Sequence, residues 1–169
     1  MTVNDLVALY DYGYWANKRL FQTISELTPD QFTRPVAGSY GSVRNTLVHA
    51  LSAEWGWLDR CGGQERGERL NPDDYPTAES LAETWDRVEG YVRDFLSGLK
   101  DEDLTREIEF TISGQEKHTM RMGHLLYHAA IHGVHHRAQV ALLLRVLGYG
   151  PGNFDMLIYY AGKQGGSAN

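Results

Sequence analysis

His124-Leu-Leu-Tyr-His128-Ala-Ala-Ile-His132-Gly-Val-His135-His136-Arg-Ala-Gln139-Val140 lies inside one long helical segment. The segment opens near Thr119 and persists to Leu147, where Gly148, Gly150 and Pro151 forbid continuation. His124, His128, His132 and His136 recur every four residues, so successive imidazoles stand one turn apart on one face. Each step drifts by about 40° around the axis, so a single ion can take only one adjacent pair. A third ligand must come from another helix.

Three further segments keep helical 3–4 spacing. The first runs from Asn4 to Leu27 through Leu6, Leu9, Gly13, Leu20 and Ile24, with Thr2 and Asp5 at capping-box spacing. The second starts near Ser42, carries Val43, Leu47, Leu51 and Leu58, and stops at Gly62-Gly63. Gln64 to Pro76 reads as a polar loop. Thr77 then caps a third helix through Leu81, Trp85, Val88, Val92, Phe95 and Leu99. Between the third and fourth helices, Glu107-Ile-Glu-Phe-Thr-Ile-Ser-Gly114 alternates like a strand, and its terminal Ser-Gly predicts a small hairpin. Phe154 to Tyr160 reads as a short terminal helix, and 165–169 as a flexible tail. These elements predict an all-α four-helix bundle over residues 1–164. A faint repeat is also present, Ile24–Arg34 resembling Leu96–Arg106 at an offset of 72. It fits either two related helix pairs or shared turn chemistry.

Composition limits the function. At 169 residues and 42% hydrophobic, the chain is long enough for one core and needs no metal merely to fold. No apolar run approaches the roughly 20 residues of a membrane span. With no leader evident, the expectation is a soluble, cytoplasmic protein. A net charge of −6 without a Lys/Arg cluster argues against nucleic acid as a partner. Cys61, the only cysteine, can form no internal disulfide and reads as an inert boundary residue. Trp15, Trp55, Trp57 and Trp85 read as packing residues.

Candidates for the third ligand are His49 in the second helix, His118 before the fourth, and several carboxylates. His49 shares a face with Asn45, Ala53 and Gly56, away from the Leu47, Leu51 and Leu58 stripe. Helical geometry alone does not aim it into the core. The residues by themselves describe a helical bundle that binds a metal.

Three segments then resemble one family. Tyr14-Trp15-Ala16-Asn17, Leu47-Val48-His49 followed by Glu54 and Trp57-Leu58, and His132-Gly-Val-His-His136-Arg137-Ala-Gln139 are similar to motifs of the DinB/YfiT-like metalloproteins. Ala138 stands where that family usually has Gly, and Ile131 where it often has Asn. The resemblance implies metal ligation by His49, His132 and His136, with His135 pointing elsewhere and His128 a neighbour. It also implies an up-up-down-down bundle and a homodimer. Three neutral imidazoles leave a divalent ion, zinc or nickel foremost, with an open position. That position can hold a thiol as its thiolate or a water of lowered pKa. The resemblance therefore implies a transferase using bacillithiol, mycothiol or glutathione as cosubstrate. A metal-dependent hydrolase and a metal- or ligand-sequestering stress protein are the alternatives.

Overall fold

Thr2 opens the first helix as expected: its hydroxyl accepts from the Asp5 amide, and the Asp5 carboxylate accepts from the Thr2 amide. In the computed structural model, which describes residues 1–64, 69–112 and 116–164, this helix, α1, spans Val3–Ile24. It is followed by α2 (Pro29–Thr33), α3 (Val43–Cys61), α4 (Ala78–Ser97), α5 (Met122–Val146) and α6 (Met156–Gln164). A hairpin of β1 (Glu107–Ile112) and β2 (Glu116–Arg121) precedes α5. The four long helices α1, α3, α4 and α5 form the expected all-α bundle, closed by the short C-terminal helix. Their shared core includes Leu6, Leu20, Leu51, Leu58, Leu81, Leu126 and Leu144, all fully buried or nearly so.

The expected up-up-down-down order is corrected by the contacts between helices. Tyr10 reaches Leu126 and Asn17 receives Arg137, so α1 and α5 run the same way. Asp11 meets Arg93 and Lys18 meets Glu89, so α4 runs opposite to α1. Asp59 bonds Tyr91 and Gly62 abuts Phe95, so α3 and α4 are parallel. The order is up-down-down-up. The connection from Gly62 to Thr77 causes it, because it carries the chain back along the bundle before α4 begins.

The hairpin also differs from its expectation. Its second strand is not within Glu107–Gly114 but follows it, with Glu107 opposite Arg121 and Phe110 opposite His118. Thr119 to Arg121 therefore belong to β2, and α5 starts three residues later than the sequence suggests. Helical signals and alternation overlap there, and cross-strand pairing wins. The Ser113-Gly114 turn and the 165–169 tail lie outside the described residues.

The repeat has a structural counterpart. α2 and a one-turn helix at Asp101–Thr105 occupy positions 72 apart. In each, the third residue's side chain accepts from the capping amide: Gln31 from Thr28 at 3.0 Å and Asp103 from Lys100 at 2.8 Å. Pro29 at the first turn suits such a start. Both short helices escape a search for long apolar periodicity.

Candidate functional site

α3 presents two faces. Leu47, Leu51 and Leu58 enter the core, while Asn45, His49 and Ala53 line a cleft toward α5. Gly56 is buried on this second face, so the small side chains do permit close helix approach. α5 answers with His128 and His132 in the cleft and with the buried His136 behind them.

His49, His132 and His136 converge, each offering a ring nitrogen within 4.8 Å of the others. His132 Nε2 lies 3.4 Å from His49 Nε2 and 3.1 Å from His136 Nε2. A tetrahedral cation with nitrogen ligands at about 2.0–2.1 Å would hold those nitrogens about 3.3 Å apart. The spacing fits. The tautomers fit too. Gln139 Oε1 lies 2.7 Å from His136 Nδ1 and accepts its proton, which leaves the His136 Nε2 lone pair facing the cluster. Gln139 is itself fixed: Ser39 Oγ donates to its Oε1 at 2.8 Å, and its Nε2 donates to His135 at 2.9 Å. His135 thus points away from the cluster, as expected.

The other histidines separate from the site. His118 is on β2, stacked against Phe110 and 3.7 Å from Glu116. His124 is exposed. His128 lines the cleft with its ring edge-on to Trp57, 5.4 Å between centroids. Trp57 is thus part of the cleft, while Trp85 is buried and Trp15 packs with Tyr12 and Tyr159.

One feature of the site carries no sequence signal of its own. Tyr40 stacks on His49 at 3.9 Å and places its hydroxyl 2.9 Å from His49 Nε2. It is carried by Gly38-Ser-Tyr-Gly41, a turn with positive φ at Gly38, Ser39 and Gly41. Behind the cluster, Arg137 Nη1 donates to Asn17 Oδ1 at 3.1 Å, and Tyr14 Oη donates to Glu54 Oε1 at 2.6 Å. Gly133 leaves room for that guanidinium, since a Cβ there would stand 3.2 Å from Arg137 Nη1. The three motifs that looked separate in sequence therefore meet in one buried polar layer.

Burial first, then the neighbouring His136, His49, His128 and His135, push the half-buried His132 down from 6.5 to about 4. Because the folded value lies below the unfolded one, the contribution is complete above pH 6.5 and is lost as pH falls toward 4. With this ring half-buried, solvent screening brings the effect to ~1 kcal/mol. Metal-free protein is expected to lose that much stability in denaturant titrations between these limits. A His132→Gln variant with an unchanged pH slope would exclude this residue as the cause.

Residues 1–166 match the model of the DinB family. The chain is 25% identical over 158 residues to Protein DinB of Bacillus subtilis (strain 168), covering 89% of this chain and 91% of that one. It also resembles in fold the crystal structure of a DinB-like protein from Bacillus cereus ATCC 10987, with a TM-score of 0.71 at 20% identity. That likeness covers 90% of this chain and 97% of the other. With nearly its whole length matched, from α1 through α6, the chain belongs to the DinB family.

Proposed function

We propose that this protein is a metal-dependent S-transferase, with His49, His132 and His136 holding one divalent ion, zinc or nickel, and a low-molecular-weight thiol as cosubstrate. The observation that carries the reading is the convergence of three imidazoles, two of which, His49 and His132, line a cleft of about 450 Å³, within the usual range for a small ligand. A bound ion would keep a thiol ionised near neutral pH. In the transfer, a bond forms between sulfur and an electrophilic carbon, the leaving group departs with its bonding electrons, and the thiol proton passes to solvent. The chain supplies no thiol of its own. Cys61 is fully buried, and burial pushes its thiol up to about 12. It also lies twelve residues from His49, about 18 Å along the helix.

A cytoplasmic location suits this reading, since low-molecular-weight thiols are kept reduced there. No helix among the described residues is long and apolar enough to cross a membrane. Homodimerisation is supported by the outward Leu142, Val146 and Leu157, each more than 60% exposed.

The test is to incubate metal-loaded protein with bacillithiol, mycothiol or glutathione and a panel of electrophiles, following adducts by mass spectrometry. Adducts should exceed the metal-free control, and Cys61→Ser should retain them. If no thiol perturbs the spectrum of the cobalt-substituted protein and no adduct exceeds the control, hydrolysis or sequestration replaces transfer.

A further inference from the structure

Among the described residues, the charged side chains that line the cleft beside the histidines are cationic. The net charge is −6, yet among the described residues no Asp or Glu lines the cleft, whereas Arg60 and Arg69 both do. Arg34, Arg44 and Arg93 have carboxylate partners, Arg44 with Asp73 at 2.9 Å. Among the described residues, neither cleft arginine forms such an ion pair. Asp59, next to Arg60 in sequence, bonds to Tyr91, and its charge acts on Arg60 without an ion-pair contact.

Arg60 is held in place without being consumed. Its guanidinium lies over the Trp57 ring, 4.8 Å from the centroid, and Nη1 donates to Gly56 O at 3.1 Å. A guanidinium has five N–H donors in a fixed fork, and this backbone bond uses one. Burial, then the charge of Arg69, push Arg60 below its ordinary value despite the opposing charge of Asp59. An anion between them would relieve that repulsion and complete the fork bidentately.

We propose that Arg60 and Arg69 bind a carboxylate of a small anionic ligand against the flat wall of Trp57, where the Arg60 guanidinium folds back to Gly56 O, seven residues and about 10 Å along α3 from His49. The substrate class is thus a carboxylate-bearing molecule of roughly tripeptide reach. This deepens, and for its chemistry rests on, the reading of the histidine cluster as the reacting centre. The carboxylate can belong to the thiol or to the electrophile.

Calorimetric titration of the full chain, metal-free and metal-loaded, separates these cases. S-methylglutathione, which keeps its carboxylates but has no thiol, represents the thiol arm. Phenylacetate represents the electrophile arm, and each acid is paired with its methyl ester. Saturable binding is expected for at least one acid, about tenfold weaker for the ester. Arg60→Gln should impose a similar loss on the acid and none on the ester, with its circular dichroism unchanged. Arg69→Gln should act in the same direction. The arm that discriminates acid from ester names the source of the carboxylate. Equal binding of acid and ester, failure of both acids at millimolar concentration, or an Arg60→Gln variant that binds like the parent would overturn the proposal. Acid binding on the metal-free chain alongside absent thiol transfer would leave the anion site standing and remove the transferase.

Discussion

His132→Ala is expected to bring metal content from one ion per chain to none under dialysis, with His49→Ala and His136→Ala close behind. Removing one of three ligands should weaken binding by well over the ~10–100-fold typical of losing a hydrogen-bonding partner behind a ligand. Gln139→Ala belongs to that milder class, because it frees His136 Nδ1 without touching the nitrogen that faces the cluster. His118→Ala should change nothing, since that ring is engaged by Phe110 on the hairpin. His132 is the most sensitive position for a geometric reason: its Nε2 lies within 3.4 Å of a ring nitrogen of each partner. The chelated protein should keep its helical circular dichroism. The core of Leu6, Leu20, Leu51, Leu81, Leu126 and Leu144 is formed by the four long helices without help from an ion. Its melting temperature should fall, because a ligand that binds only the folded state stabilises it by mass action. Elemental analysis after dialysis decides the assignment, and full occupancy in His132→Ala would sink it.

The histidine spacing made α5 and half of this site legible in the sequence, because the 3.6-residue period turns an i,i+4 pair directly into proximity. His49 was legible only through resemblance. Its own helix gave two faces, and nothing local said that Asn45, Ala53 and Gly56 would meet α5. The long helices were legible from apolar spacing and caps, down to Thr2 with Asp5. Their relative direction was not, since it depends on how far the Gly62–Thr77 connection travels, which its polar composition does not reveal. Tyr40 and the two cleft arginines were invisible for a related reason. They stand on a glycine-rich turn, at the end of α3 and on the following loop, where no periodicity marks a functional face.

Glu54→Ala is expected to cost about 3–5 kcal/mol of folding stability, the largest loss foreseen for any single polar residue in this chain. Two buried groups would lose their partner at once. Tyr14 Oη would be left without the carboxylate it bonds at 2.6 Å, and Arg137 would lose the charge that, after Tyr12, does most to offset its burial. Arg137 is only 6% exposed, and burial, the leading influence on it, already disfavours its charge. Asn17 supplies one neutral acceptor and Tyr12 a phenol hydrogen bond beside its ring, and neither is a carboxylate. Glu54→Gln should cost less, since an amide oxygen can still accept from Tyr14. If the two charges are coupled, Arg137→Met made on the Glu54→Ala background should be far less damaging than Arg137→Met alone. Urea titrations of the four proteins give the coupling energy, and additivity within about 0.5 kcal/mol would show that Glu54 and Arg137 do not act as a pair. The result bears on the metal site as well. Arg137 follows His136 directly, and its guanidinium is threaded between Gly13 of α1 and Gly133 of α5. Uncoupling the layer should therefore let the end of α5 shift, and Arg137→Met should bind metal more weakly even under conditions where it remains fully folded.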